Sequence, residues 1–236
     1  MQFIKQLYII FFIYILNEIL FHQFISKFAL GGIPFVIANN NKNMDNFYFI
    51  HIPKNMGTLI HYNLPKKYNK KYYGAGLLNN KYYFTCRDHI LINDMIKIEP
   101  KIKKIPIIAI IREPINRFIS ICNYLNISPD SAIQKCKLFR NKSYPTFKNS
   151  YNFFIPQVNF IKSDYKLDLS LFTLENKNGI IKWFDSVNVK IDLSKKLNIS
   201  KKKYKRENLT DLQIQFLNFF YKNDINLYQK LKNLKR

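Results

Sequence analysis

The chain has 236 residues, 47% of them hydrophobic, which is enough for one sizeable core and short for two independent ones. Its 38 Lys and Arg residues against 15 Asp and Glu give a formal net charge of +23, a field that attracts nucleotides, sulfated glycans, nucleic acids and anionic membranes. A solvated basic face explains the same charge, so charge alone selects no partner. Three cysteines without a CxxC pair exclude a disulfide framework and indicate no zinc site, which leaves free buried thiols or one bridge.

The first feature along the chain is an apolar stretch over residues 7–21, LYIIFFIYILNEILF. Its uninterrupted apolar part is about ten residues long, whereas a membrane-spanning helix needs about twenty. A signal-peptide core, a signal anchor and a helix packed on the following domain all stay open. An anchor implies membrane attachment in a secretory, Golgi-like lumen, and the other interpretation is a cytoplasmic protein. We assign residues 1–38 to this segment and the start of a linker, and residues 46–236 to one domain.

Short apolar runs then alternate with helical patterns. Residues 47–52 (FYFIHI), 82–86 (YYFTC) and 105–111 (IPIIAII) are strand candidates. The last run is apolar at every position after its proline, which indicates burial on both faces, as in a parallel sheet. The sequence therefore predicts an α/β fold, a three-layer sandwich with a central, mostly parallel sheet and helices on both faces.

Three helices are predicted around and after these strands. One starts directly after the turn, over residues 56–64. A second begins at Pro114, where its apolar stripe is expected to pack on the sheet. Near the C-terminus Thr210 and Gln213 form a capping box, and an apolar pattern up to Leu231 predicts one long terminal helix. The stripe of the second helix comprises Ile115, Phe118, Ile119, Cys122 and Leu125.

The segment IHIPKNMGT, residues 50–58, places a lysine and a glycine between a buried strand and a helix. Backbone N–H groups of such a turn can cradle a phosphate, and Lys54 adds a mobile positive charge. The segment is not the P-loop of nucleoside triphosphatases, because G-x-x-x-x-G-K-(S/T) requires a second glycine and a lysine beside the final hydroxyl residue. A strand-to-helix turn with an incidental lysine is the competing interpretation.

A second segment, residues 107–124 (IIAIIREPINRFISICNY), delivers Arg112 at the end of a buried strand. Ser120 follows about two helical turns later. An arginine fork and a serine hydroxyl can grip one phosphate at the carboxyl edge of the sheet. Taken alone, Arg112 is equally well explained as a helix cap or an ion-pair partner.

Together the two segments resemble the sulfotransferase superfamily, in particular its carbohydrate-acting, heparan sulfate 2-O-sulfotransferase-like branch with a P-loop-like fold. HIPKNMGT is similar to the family's HIPKTGGT-type 5′-phosphosulfate loop, and REPINRFIS to its R-(D/E)-P-x-x-R-x-x-S 3′-phosphate element. Order and spacing agree. Weaker similarity extends to FIPQVNF, residues 154–160, to FTLEN, residues 172–176, and to residues 208–228.

The resemblance implies transfer of a sulfuryl group from 3′-phosphoadenosine 5′-phosphosulfate to a carbohydrate hydroxyl, without a metal. It implies that Lys54 stabilises the leaving group and that Thr58 bonds the 5′-phosphate. The expected donor-binding residues are Lys54, Asn55, Met56, Gly57, Thr58, Arg112 and Ser120. The chain departs from the family at Asn55 and Met56, where small residues are usual, and Met56 is expected to add bulk near the phosphosulfate.

Transfer also needs a base for the acceptor hydroxyl. The resemblance implies a histidine or glutamate between the two phosphate motifs, and His89, after the strand YYFTC, is our choice. Arg87 and Gln157 are expected to line the acceptor groove, Arg87 because it is near His89 and Gln157 from the weaker FIPQ match. The glycan acceptor's identity and the oligomeric state are not read from the sequence.

Two other functions remain open. A P-loop-type small-molecule kinase would share the strand, loop and helix, although the missing G-K-(S/T) and the Arg112 and Ser120 pair argue against it. A non-catalytic, basic, polyanion-binding relative would show steep salt dependence. Nucleic acid is not expected to be the partner.

Overall fold

The structure, a computed structural model, describes residues 35–36, 47–63, 70–71, 76–78, 81–83, 89–98, 100–140, 152–194 and 203–234. The strands are β1 (Phe35–Val36), β2 (Tyr48–Ile50), β3 (Lys70–Lys71), β4 (Gly76–Leu78), β5 (Lys81–Tyr83), β6 (Ile107–Ile111) and β7 (Leu169–Thr173). The helices are α1 (Gly57–Asn63), α2 (Ile92–Ile98), α3 (Pro114–Leu125), α4 (Pro129–Arg140), α5 (Gln157–Ile161), α6 (Lys177–Ser186), α7 (Asp211–Phe220) and α8 (Lys222–Asn233).

A three-stranded parallel sheet lies at the centre, in the order β2, β6, β7. Tyr48 is opposite Ile107, and Ile107 is opposite Leu169, so all three carboxyl ends lie at one edge. The five residues of β6 are buried, as its continuous apolarity predicts. The prediction of an α/β fold with parallel strands is confirmed in this form.

Two short antiparallel pairs form separate sheets: β1 with β3, and β4 with β5. The predicted strand at residues 82–86 corresponds in part to β5, while residues 84–88 lie outside the described residues. Strand β7 is absent from the sequence-based predictions, although its segment LSLFT is rich in apolar residues. It pairs with β6 over its whole length.

Alternate residues of the sheet enter two hydrophobic clusters, one on each face. Ile107, Ala109 and Ile111 pack with residues of α2, α5 and α8. Ile108 and Ile110 pack with residues of α1 and α6. This alternation follows from the period of two in a strand, and it buries β6 on both faces.

Helix α3 begins at Pro114, as predicted, and the carboxylate of Glu113 caps it by accepting from the backbone N–H groups of Ile115 and Asn116. Its apolar stripe is buried except at the half-buried Leu125, but the prediction that it packs on the sheet is wrong. The stripe joins a third cluster with α4, residues 152–154 and α7. The sheet faces are already covered by other helices, so α3 is buried by helices instead.

The predicted long terminal helix is also corrected, because it is two helices. Thr210 and Gln213 form the predicted capping box, with reciprocal bonds of 3.3 and 3.0 Å. Helix α7 then ends at Phe220, and Tyr221, with φ −100° and ψ 21°, joins it to α8. The apolar period continues across the junction because only one residue separates the two helices, so the pattern does not reveal the break.

Residues 7–21 lie outside the described residues. Among the helices that the structure describes, none combines the length and apolar character required to cross a membrane.

Cys122 and Cys136 are free and buried between α3, α4 and α7. Burial raises the pKa of each thiol to about 12, so the reactive thiolate is scarce at pH 8. We expect iodoacetamide at pH 8 to leave both unmodified in the native protein and to alkylate both after unfolding in guanidinium. Peptide mass spectrometry measures this, and rapid native alkylation of either cysteine would contradict its buried position.

Candidate functional site

The loop after β2 has an unusual backbone at two positions. Lys54 and Met56 have φ values of 65° and 70°, in the left-handed region that non-glycine residues enter at a cost of about 1 kcal/mol. Turns with left-handed residues direct successive N–H groups to one side, where they can bind an anion. Helix α1 starts at Gly57, directly after this turn.

Asn55, between these two residues, ties the loop to the sheet. Its Nδ2 donates to the carbonyl oxygen of Ile110 at 2.7 Å and to Oε1 of Gln157. The side chain is only 1% exposed, and within the described residues its Oδ1 has no hydrogen-bond partner. Its amide therefore faces β6 and Gln157. If Asn55 contacts a bound sulfuryl donor, the contact has to come from its backbone.

The side chain of Met56 is half-buried and packs against the cluster formed by β2, β6, α1 and α6. Its bulk is thus directed to the hydrophobic core. The expectation that Met56 adds bulk near the phosphosulfate stays a prediction.

Gly57 allows the close approach of His51. A Cβ atom at position 57 would lie 1.9 Å from Cδ2 and Nε2 of His51, so a side chain here would displace the imidazole. The requirement for glycine is spatial, since Gly57 does not have a positive φ. His51, predicted as an ordinary strand residue, in fact follows β2 and lies against the loop.

His89 lies next to His51. Its Nδ1 is 2.9 Å from the carbonyl oxygen of His51, and the two rings meet edge to face with centroids 4.6 Å apart. A carbonyl can only accept, so Nδ1 is the donor in this hydrogen bond. His89 is buried, and the ring of Phe153 packs beside it at 5.3 Å. Arg87 lies outside the described residues.

Arg112 extends from the end of β6 to the loop. Its Nη1 donates to the carbonyl oxygen of Lys54 at 3.1 Å. Burial lowers the pKa of Arg112, while Glu175 and Glu113 act in the opposite direction. Burial also lowers the pKa of Lys54, and Arg112 adds to that effect. Two half-buried cations therefore influence each other at the carboxyl edge of the sheet, an arrangement that an anion would stabilise.

The ammonium of Lys54 lies over the ring of Tyr124, 4.1 Å from its centroid. Tyr124 stacks in turn on Phe153, with centroids 5.4 Å apart. Tyr124 is 54% exposed, so this aromatic pair forms one wall of the site that remains open to solvent. Neither residue was predicted as a site residue from the sequence, although Tyr124 ends the second motif segment.

Ser120 and Thr58 are less closely joined to this arrangement. Ser120 is half-buried on α3, and within the described residues it makes no hydrogen bond to Arg112 or the loop. Thr58 is exposed at the second residue of α1. Their contacts with phosphate groups stay predictions.

Gln157 is fully buried at the start of α5. Its Oε1 accepts from the backbone N–H of Arg112 at 3.0 Å, and its Nε2 donates to the carbonyl oxygen of Arg112 at 2.8 Å. The expectation that Gln157 lines an acceptor groove does not fit this position, because its amide is enclosed by protein groups. It connects Asn55 of the loop after β2 with the backbone of Arg112.

Arg117 on α3 and Asp224 on α8 hold the same region, and neither was predicted as a site residue from the sequence. Arg117 is 1% exposed and donates to three backbone carbonyl groups, those of Pro53, Ile155 and Phe153. The sequence pointed to Arg117 only as the second arginine of the REPINR motif.

A cleft lies elsewhere in the part of the chain that the structure describes. It has a volume of about 390 Å³ and is lined by residues before β6 and β7 and at the end of α6, among them Pro106, Asp168 and Trp183. This is the amino edge of the parallel strands, opposite the loop. We place the candidate site at the carboxyl edge, because both cations and both histidines meet there and parallel α/β sheets bind ligands there.

Within the described residues no three His, Cys, Asp or Glu side chains are grouped so that they could hold a metal ion. The site is instead cationic and aromatic, with Lys54, Arg112, His51, His89 and Tyr124 around one backbone turn. Such a site can bind a phosphate or sulfate ester and place an imidazole beside it. No family model, no curated protein and no solved structure matches this chain.

Proposed function

We propose that the chain is a sulfotransferase of the carbohydrate-acting, heparan sulfate 2-O-sulfotransferase-like branch. It transfers a sulfuryl group from 3′-phosphoadenosine 5′-phosphosulfate to a hydroxyl of a glycan. The proposal includes the finer fold, a P-loop-like three-layer sandwich, which the two clusters on opposite faces of the parallel sheet support.

The contact between the two phosphate motifs carries the proposal. They are 58 residues apart in sequence, yet Arg112 donates directly to the carbonyl oxygen of Lys54. One ligand with two phosphate groups can therefore reach both the loop and the arginine fork. The half-buried positions of Lys54 and Arg112 strengthen their attraction for such an anion, because the local dielectric is lower than in water.

In the proposed reaction the acceptor oxygen forms a bond to sulfur as the bond from sulfur to the bridging phosphate oxygen breaks. The acceptor proton passes to Nε2 of His89, whose Nδ1–H is held by the carbonyl of His51. Lys54 stabilises the negative charge that develops on the leaving phosphate oxygen. The products are the sulfate ester and adenosine 3′,5′-bisphosphate, and positioning and electrostatics supply most of the acceleration.

Calorimetric titration without added metal tests the donor site. We expect adenosine 3′,5′-bisphosphate to bind the full chain at least about tenfold more tightly than adenosine 5′-monophosphate, a difference of about 1.4 kcal/mol. The two compounds differ only in the 3′-phosphate. Arg112→Ala is expected to remove most of this preference, because the guanidinium fork is the proposed partner of that group.

The matched control is Arg206→Ala, which removes a half-exposed arginine whose partner is Glu113. It is expected to leave the preference unchanged. Equal affinities of the wild-type chain for both nucleotides would overturn the sulfotransferase proposal. Binding of ATP with magnesium in place of the bisphosphate would favour a kinase.

A further inference from the structure

The side-chain amide of Gln157 makes three hydrogen bonds to residues of the candidate site. It pairs with both backbone groups of Arg112 and also accepts from Nδ2 of Asn55. A primary amide with both ends engaged cannot rotate without breaking several buried hydrogen bonds. The side chain is 0% exposed, so it cannot itself touch a ligand.

Gln157 is held in turn by a carboxylate from the C-terminal helix α8. Asp224 is fully buried and accepts from the backbone N–H of Gln157 at 2.7 Å and of Val158 at 2.9 Å. Burial raises the pKa of Asp224, whereas Arg117 and the two backbone N–H groups act in the opposite direction. The carboxylate thus anchors the start of α5 from a helix more than sixty residues away in sequence.

The spacing between the loop and Arg112 matters for a ligand that must contact both. The loop side is fixed by Asn55, which is bonded to Ile110 and Gln157. Arg112 is fixed by two hydrogen bonds between its backbone and the side-chain amide of Gln157. Binding sites require their groups to be held within about 0.5 Å, and rigid buried partners supply that accuracy.

We propose that Gln157 is a positioning residue that sets the distance between the phosphate loop and Arg112, and that Asp224 fixes Gln157 in that role. The inference rests on the proposed function. It predicts a specific effect, because adenosine 3′,5′-bisphosphate spans the loop and Arg112, whereas adenosine 5′-monophosphate needs only the loop. Loss of the Gln157 amide should therefore weaken the first nucleotide more than the second.

The test compares Gln157→Met with the wild-type full chain. We expect the preference for the bisphosphate to fall from about tenfold or more to about threefold or less, with affinity for the monophosphate changed less than about threefold. In the protein without nucleotide, the Arg112 amide should exchange its hydrogen faster, while Ile108–Ile110 amides inside β6 should not, as measured by NMR or mass spectrometry.

Tyr221→Phe is the matched control. It removes a buried hydrogen bond of 3.1 Å to the carbonyl of Phe154 in the same segment, but it reaches neither Asn55 nor Arg112. It should leave the preference within about twofold of the wild-type value. Should Gln157→Met fail to fold, Asp224→Asn, which keeps one acceptor oxygen, should lower the preference in the same direction by about threefold.

The outcomes separate the two claims. A wild-type chain that discriminates between the nucleotides, with a Gln157→Met variant that discriminates equally well, would sink the positioning role alone. Equal weakening of both nucleotides, or an unchanged exchange rate at Arg112, would also overturn it, because those results describe a merely structural residue. A wild-type chain that binds both nucleotides equally would contradict the proposed function and, with it, this inference.

Discussion

Arg117→Met is expected to lower the free energy of unfolding by about 3–5 kcal/mol. The buried guanidinium donates to Pro53 at 3.0 Å, to Ile155 at 3.0 Å and to Phe153 at 2.7 Å. Methionine fills a similar volume but has no donor, so three buried carbonyl groups lose their partner at once. Urea unfolding followed by circular dichroism measures the loss.

The control is Arg206→Met, the same substitution at a half-exposed arginine. Its guanidinium lies 3.4 Å from Glu113, and a pair that water reaches contributes less than about 1 kcal/mol. The two variants should therefore differ by at least about 2 kcal/mol. Similar losses in both would mean that the buried carbonyl contacts contribute little to stability.

His89→Ala is expected to lower kcat by about 10²–10⁴-fold, while the affinity for adenosine 3′,5′-bisphosphate changes little. The physical reason is that His89 is proposed to take the acceptor proton and is not one of the expected donor-binding residues. Turnover is measured as release of the bisphosphate from the sulfuryl donor, in the presence of an oligosaccharide acceptor chosen from a panel.

The His89→Gln variant distinguishes a role of His89 in proton transfer from a purely structural role. The glutamine amide can still donate to the carbonyl of His51, which His89 bonds at 2.9 Å, but it cannot accept the proton. It should lose as much turnover as the alanine variant. A glutamine variant with wild-type turnover would contradict the assignment of His89 as the base.

The sequence predicted those elements whose causes are local. The apolar run of β6, the proline start of α3 and the Thr210 capping box each depend on a few neighbouring residues, and each is confirmed. Strand β7 was missed because its five residues are only partly buried for most of their length, so LSLFT lacks the continuous apolar signature of β6.

The meeting of Lys54 and Arg112 was also predictable. Each follows a buried strand, and the carboxyl ends of neighbouring parallel strands lie at the same edge of a sheet. The hydrogen bond of 3.1 Å from Nη1 of Arg112 to the carbonyl oxygen of Lys54 agrees with that rule. His89 was chosen by its place between the motifs, and its contact with His51 came only from the three-dimensional arrangement.

By itself, then, the sequence determined the α/β character, the parallel strands and the two cations at one edge, because period, capping and strand ends are local properties. Only the tertiary structure decided that the stripe of α3 packs on helices, that Tyr221 divides the terminal helix, and that Gln157 is buried. Each of these features depends on distant partners. Those of the Gln157 side chain are between 45 and 102 residues away in sequence. A polar side chain is buried only where distant groups complete its hydrogen bonds, and no local pattern records where they lie.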